Sequence, residues 1–361
     1  MNPQFNAAAT KAALQARGLS TYDAAQRMGF SQSYVSRVLS GSRPAPTSMV
    51  EGFRQLLQQP SEDSDERTAF RRQFEAFLEH DRRYGGDHVA DAALQFWRAE
   101  QALLDQDVDS TPERMAAVAE LAEVAGWLCH SAGRFDEARH AFIECLTLAR
   151  QANDLGLQWF AIDMLAMVAT VQGKPGEALR LADQSLDLSL QVPGRVAVMA
   201  MVRRSRALAL TGDASRSLAD MTRAVGGLQD SISDHDPTWA SWITPGEVYG
   251  HHGELYMSLG QPSAALPYFQ RCVAEYDAAG ITRGSLGNRV SELRALVKLQ
   301  AWRECEDVLE GLAPLAQTVS CGMIRVRLHP ALRTIRRQAP SWLSAMADDV
   351  MASATGRSES A

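Results

Sequence analysis

The chain has 361 residues, 46% of them hydrophobic, and a formal charge of −7. That length accommodates two or three domains with a sizeable core. No run approaches the roughly 18 apolar residues of a membrane span, so a membrane partner is not expected. Five cysteines in odd number, none in a CxxC pair, argue against a disulfide framework and read as reduced, mostly buried thiols of a cytoplasmic protein.

The charge is unevenly placed. Residues 1–58 hold six basic and two acidic residues, a balance of +4, whereas the remaining 30 basic and 41 acidic residues give −11. A basic head suits local phosphate binding, and an acidic body is not expected to lie along a polyanion. The N-terminal stretch MNPQFNAAATKAAL is too polar to read as a secretory signal.

In chain order, apolar residues at helical spacing predict a first helix over Phe5–Arg17. Thr21–Met28 follows, with Ser20 as its N-cap and Gly29 as its left-handed stop. Phe30 drops inward, and Ser31 caps a helix running to about Ser40. About three residues separate the two helices, the spacing of a helix-turn-helix. Ala24 and Ala25 are small where the helices cross, and Met28, Phe30, Val35, Val38 and Leu39 supply a shared core. The opposite face carries Gln32, Ser33, Tyr34, Ser36 and Arg37. Glutamine pairs with adenine edges and arginine with guanine edges in a major groove, so this face is a candidate reader of double-stranded DNA. Thr47–Gln58 closes the head.

The run LSxxxAA, the Gly29-Phe30-Ser31 turn, SxxxVSRxxSG and the following Arg-Pro loop resemble the Xre (lambda-repressor-like) helix-turn-helix family. The resemblance implies DNA binding by Thr21, Gln32, Ser33, Tyr34, Ser36, Arg37, Ser42 and Arg43. Gln32, Ser33 and Arg37 would be the base readers. Tyr34, Ser36 and Ser42 would meet phosphates, and Arg43 either. Thr21 stands where many relatives anchor the first helix with Gln.

Residues 59–67, which include the acidic PSEDSDER, are expected to be a linker. Helices are expected over Thr68–Tyr84, ended by Gly85-Gly86, and over Val89–Leu104. From about Pro112 the chain repeats itself. Turn positions Gly133, Gly173, Gly212, Gly260 and Gln300 are each followed five residues later by a small residue: Ala138, Ala178, Ser217, Ala265 and Cys305. Each unit reads as an apolar helix A, a turn, and an amphipathic helix B. Helix A carries Gly126, Ala166, Ser205 and Gly253 near its middle, with Leu293 in the degenerate fifth unit. This resembles the tetratricopeptide repeat, though with a longer period. An insertion at residues 231–247 carries Trp239 and Trp242 and is expected to plug a gap in the stack, the alternative being that it lines a site. Cys321–Arg337 has five arginines and no acid, and reads as a capping helix whose arginines pair with the acidic body or a second subunit, the alternative being contact with DNA. The fold class is therefore all-α: a helix-turn-helix domain (1–58), a linker (59–67), a tetratricopeptide-like helical-pair solenoid (68–340), and a C-terminal helix and disordered tail (341–361), with Ser353–Ala361 disordered.

No phosphate loop, HExxH, GxSxG or zinc-spaced Cys/His set is present in the sequence. Neither enzymatic activity, a cofactor nor a metal is expected, and the pair His251-His252 reads as solvated or groove-facing. In tetratricopeptide folds helix A lines the concave side. The residues placed there are Glu123, Trp127, His130, Asp163, Met167, Arg203, Arg206, His251, Glu254, Asn288, Ser291 and Arg294. Such a mixed stripe is more polar than a face meant for burial and suits a peptide or small-molecule effector. The order of head and body resembles bacterial regulators of the Rgg and PlcR type, which implies a homodimeric transcription factor with a signal-receiving body. The rival reading is a protein-interaction scaffold or antiactivator that does not bind DNA.

Overall fold

The computed structural model describes residues 5–16, 20–58, 62–187, 192–233 and 236–355. The chain divides into two compact units, Met1–Arg71 and Arg72–Ala361. The described residues are helical throughout, apart from turns.

The first unit contains α1 (Ala7–Ala16), α2 (Thr21–Met28), α3 (Gln32–Leu39) and α4 (Thr47–Gln58). Leu14, Ala24, Ala25, Val35, Val38, Met49 and Phe53 form one buried cluster. Ala24 and Ala25 are small at the helix crossing, as expected, and are completely covered. Gly29, at φ 72°, ends α2 in the left-handed conformation, and Phe30 N–H reaches back to Ala25 O at 2.9 Å. One local expectation fails. Ser31 occupies the N-cap of α3 with extended backbone, but its side chain makes no capping bond; its Oγ lies 3.4 Å from Ser33 Oγ. Residues 62–67 also differ from expectation. They form the first turns of α5 (Glu62–Tyr84), because acidic residues favour the first turn of a helix over extended chain. Residues 59–61 lie outside the described set.

The second unit continues with α6 (Ala90–Leu104) and six helical pairs: α7 (Pro112–Ser131) with α8 (Phe135–Gln151), α9 (Leu155–Val171) with α10 (Pro175–Asp187), α11 (Gly194–Leu210) with α12 (Ala214–Gly227), α13 (Pro245–Ser258) with α14 (Pro262–Ala278), α15 (Thr282–Leu299) with α16 (Trp302–Thr318), and α17 (Gly322–Gln338) with α18 (Ser341–Thr355). Small residues set the spacing within pairs. Ala138, Ala178, Ser217, Ala265 and Cys305 are all fully buried. A Cβ on Gly126 would lie 2.6 Å from the Phe142 ring, and one on Gly253 would lie 2.5 Å from Phe269. The aromatic ring of helix B thus sits where helix A has no side chain. In the third pair, Ser205 and Ser217 donate to each other's backbone carbonyls at 2.8 and 2.9 Å, so the polar atoms of a close crossing are satisfied internally.

All five turn positions adopt left-handed φ, including Gln300 at 55°. A non-glycine residue there carries a steric cost. Gln300→Gly is expected to stabilise the unit by about 0.5–1 kcal/mol, less the extra freedom glycine gives the unfolded chain. A small rise in thermal midpoint would show it, and a fall would contradict it.

The insertion forms two short 3-10 turns, Gln229–Ser231 and Thr238–Trp242. Trp239 donates Nε1–H to Gly156 O at 2.9 Å and meets Phe160 edge-on at 5.4 Å. The insertion fills a gap between repeats, as expected. The C-terminal expectations need two corrections. α17 does not cap the stack, because α18 packs on both α16 and α17. Ser353–Thr355, expected to be disordered, end α18; residues 356–361 lie outside the described set. All five cysteines are buried and unpaired.

The largest departure from a simple open solenoid is closure. The A helices contact in sequence, α7–α9–α11–α13–α15–α17, and α17 then packs against α7. The seam is polar and close. Asp87 accepts from Ser320 Oγ at 2.7 Å and from the Gly322 N–H at 2.8 Å, and pairs with Arg325. Ser320 N–H donates to Tyr84 O at 2.7 Å. Cys321 Sγ donates to Ser131 O at 3.0 Å. Small rotations between successive pairs accumulate until the sixth A helix returns to the first. The side expected to be a concave groove is therefore the inside of a ring.

Candidate nucleic-acid interface and ring interior

On the head, α3 buries Val35, Val38 and Leu39 and leaves Gln32, Ser33, Ser36 and Arg37 exposed. The two faces follow from helical period alone. Tyr34 is half-buried, its ring edge-on to Phe30 at 5.9 Å. After α3 the chain reverses through Gly41, at φ 74°, with Arg43 N–H bonded to Arg37 O at 3.1 Å. This turn lays the Arg43 guanidinium over the Tyr34 ring at 4.7 Å. Arg37 Nε donates to Ser33 O at 3.0 Å, so the guanidinium lies along its own helix. Ser40 Oγ and Ser42 Oγ are 2.6 Å apart, and Thr21 is half-buried at the start of α2. Arg37, Arg43, Ser36, Gln32 and Ser33 thus share one exposed polar surface at α3 and its C-terminal turn.

Inside the ring, at least eight of the twelve residues expected in the groove join ionic or hydrogen-bonding networks. Asp163 and Arg203 form a bidentate pair at 2.9 and 2.8 Å, both nearly fully buried. Arg203 Nη1 is 3.1 Å from His251 Nε2, which in turn is 3.2 Å from Glu247. Glu254 gathers Arg294 at 2.7 Å, Arg327 at 3.5 Å and Arg206 at 3.9 Å, and accepts from Ser291 Oγ at 2.7 Å. Trp127 donates Nε1–H to Asp81 at 3.0 Å and lies under Arg283 at 5.1 Å. His130 stacks on Trp127 at 5.7 Å. The other four lie as follows. Glu123 and Met167 are half-buried, Asn288 bonds to the Gly284 carbonyl of its own helix, and His130 makes ring contacts only. His251 and His252 are not a solvated pair: His252 is packed 3.9 Å from Tyr268 and 5.2 Å from Tyr256, because neighbours on a helix point about 100° apart.

Burial and charge set the ionisation. Burial opposes the charged form of Glu254, but Arg294, Arg206 and Arg327 outweigh it and hold the carboxyl at about 2. Glu247 is likewise held at about 2, burial being outweighed by His251 and Tyr276. Burial lowers the Arg206 guanidinium to about 10, which Glu254 opposes and the neighbouring arginines reinforce. Burial, then Arg327, Arg203 and Arg283, push His130 down to about 3, so it is neutral at pH 7.

The sequence missed Asp81, Glu247, Arg283 and Arg327, which complete this interior. For Asp81 a signal existed. It stands on the stripe of Phe70, Phe74 and Phe77, where an apolar residue is expected, and it is 1% exposed. Glu247 lies one helical turn before His251. Nothing in the arginine runs distinguished Arg327 from its neighbours.

A short polar-faced helix crossing a second at Ala24 and Ala25, with a ring of helical pairs in the other unit, defines a protein with a helix-turn-helix head and a tetratricopeptide-repeat body. Family comparisons agree with both parts. A helix-turn-helix domain family matches residues 11–66, and a tetratricopeptide repeat family matches residues 246–276, the pair α13 and α14. No curated protein sequence matches the chain. Among solved structures, a Rap protein complexed with Competence and Sporulation Factor is similar over 97% of this chain and 88% of that one, with a TM-score of 0.53 and 11% identity. Bacillus thuringiensis PlcR in complex with the peptide PapR7 and DNA matches over 76% of this chain and 96% of that one, with a TM-score of 0.42 and 16% identity. The Rap likeness is one of fold. No helix among the described residues is long and apolar enough to cross a membrane.

Proposed function

We propose that the protein is a sequence-specific, homodimeric DNA-binding transcriptional regulator of the cytoplasm, whose repeat body receives a peptide or small-molecule effector. The observation that carries the DNA-binding part is the exposed polar face of α3, with Gln32, Ser33 and Arg37 clear of the core in a segment matched by a helix-turn-helix family. Gln32, Ser33 and Arg37 are assigned to base edges. Thr21, Tyr34, Ser36, Ser42 and Arg43 are assigned to the backbone, with the Tyr34 ring steadying Arg43. Two heads would reach half-sites one helical turn apart, roughly 34 Å. An effector would alter that spacing only through unequal affinity for two forms of the body.

Selection of bound sites from random duplex by the purified full-length protein is the direct test. A defined consensus is expected, and affinity for it should fall steeply between low and physiological salt as counterions are no longer released at a profit in entropy. Arg37→Ala should remove about 1–3 kcal/mol of preference at one base position, whereas Arg43→Ala should weaken all sequences more evenly. Absence of duplex affinity even at low salt would reject the reading and favour a protein-interaction scaffold.

A further inference from the structure

We infer that Arg206, Arg294 and Arg327, together with His130, form a receptor inside the ring for an anionic group, a carboxylate or phosphate, carried by the effector. The inference deepens the proposed sensing role and rests on it for the word effector, but the anion site can be tested without it. The first observation is an imbalance of donors and acceptors. Three guanidiniums converge on the single carboxylate of Glu254, and only Arg294 sits at contact distance, 2.7 Å. Arg327 and Arg206 stand off at 3.5 and 3.9 Å. A carboxylate has only two oxygens to share, and Oε1 already serves Ser291 and Arg294, while each guanidinium presents a fork of N–H donors and no acceptor. The buried Nε of Arg206 has no partner. A second anion would satisfy donors that Glu254 cannot.

The second observation is independent. His130 is 2% exposed, and neither of its ring nitrogens has a hydrogen-bond partner. Buried polar atoms are almost always paired, so this side chain points to a group not yet in place. Arg327, Arg203 and Arg283 all disfavour a charge on it, so a neutral imidazole N–H there suits an anionic acceptor.

Access is graded in the right sense. The Arg203 side chain is 3% exposed, Arg206 14%, Arg294 28% and Arg327 32%. Arg294 and Arg327 form the reachable edge and His130 and Arg203 the sealed end. Planar or tetrahedral oxyanions match guanidinium forks bidentately, which a neutral amide does not.

The test titrates full-length protein at constant ionic strength with inorganic phosphate, with succinate, and with succinamide as the neutral counterpart, following tryptophan fluorescence and the thermal midpoint. Saturable responses to phosphate or succinate and none to succinamide are expected, and whichever of the two binds more tightly identifies the oxyanion. Arg206→Gln and Arg327→Gln should each weaken binding about tenfold or more, the loss of one charge-assisted contact, while Arg333→Gln, on the exposed side of α17, should change nothing. If Arg206→Gln does not fold, Arg327→Gln, at the open edge, carries the comparison. Responses that do not saturate, that chloride reproduces, or that survive in Arg327→Gln would overturn the site. Saturable anion binding without duplex affinity would keep the site and remove the regulator, and duplex affinity without anion binding would do the reverse.

Discussion

Asp163→Ala is expected to lower the stability of the repeat body by about 3–5 kcal/mol, the range for removing one partner from a buried ion pair. Arg203 is 2% exposed and holds Asp163 with two parallel hydrogen bonds. Without the carboxylate, the guanidinium keeps its charge, since arginine does not deprotonate near neutral pH. Its remaining neighbours cannot replace the acid. His251 offers one ring nitrogen, already shared with Glu247. The side chain must then leave the interior or draw water in, and either disrupts the contact between α9 and α11. The reverse single variant, Arg203→Met, strands Asp163 and should cost a similar amount. The double variant Asp163→Leu/Arg203→Met is the informative comparison. Apolar residues of similar volume often restore or exceed the stability of a buried pair, so it should recover most of the loss. All seven tryptophans lie at or after Trp97, so intrinsic fluorescence during denaturation reports on the body alone. A double variant as unstable as the sum of the singles would mean the pair is held by the wider network rather than by itself.

That network shows how far the sequence could be read. Spacing put Asp163, Arg203, His251 and Glu254 on one stripe of helix A, because the small residue in mid-helix fixes which side faces helix B and therefore which side faces away from it. Arg203 and Asp163 fell on the same stripe for that reason. Their pairing was not legible, since they stand on A helices of successive pairs and nothing local says that two charges will be buried together. Closure of the ring was still less visible. It depends on a rotation repeated at each pair, and no single repeat contains it. Asp87, Ser320 and Arg325 are ordinary polar residues until the two ends of the body meet. On the head, the core and the polar face of α3 were both legible from period. The bond of Arg37 to Ser33 O and the stacking of Arg43 on Tyr34 were not, because long flexible side chains choose partners that sequence spacing only permits. Ser31 marks the opposite error: a residue type suited to capping that does not cap.

The ring seam gives a second large effect. Gly322→Ala is expected to destabilise the body by about 1–3 kcal/mol through overpacking, with the loss concentrated at the junction of α17 and α7. A Cβ at Gly322 would fall on the backbone carbonyl of Ala132 and lie 3.1 Å from Gly133 N. No rotamer change relieves a clash with main chain, so α17 must back away. Doing so separates Gly322 N–H and Ser320 Oγ from Asp87, and Cys321 from Ser131. The same substitution at Gly287 in α15 is the control. Its Cβ would meet Ile324 at 3.6 Å, an ordinary contact, and alanine favours a helix over glycine by about 1 kcal/mol. Gly287→Ala should therefore be neutral or stabilising, although it faces the same helix α17. Hydrogen exchange of the full-length protein would separate global from local loss. Faster exchange in α17 and α18, with α9 to α12 unchanged, is the pattern of an opened ring whose stacked pairs remain folded. Uniform acceleration across all six pairs would instead mean that the repeats depend on closure, and that the ring, not the individual pair, is the cooperative unit.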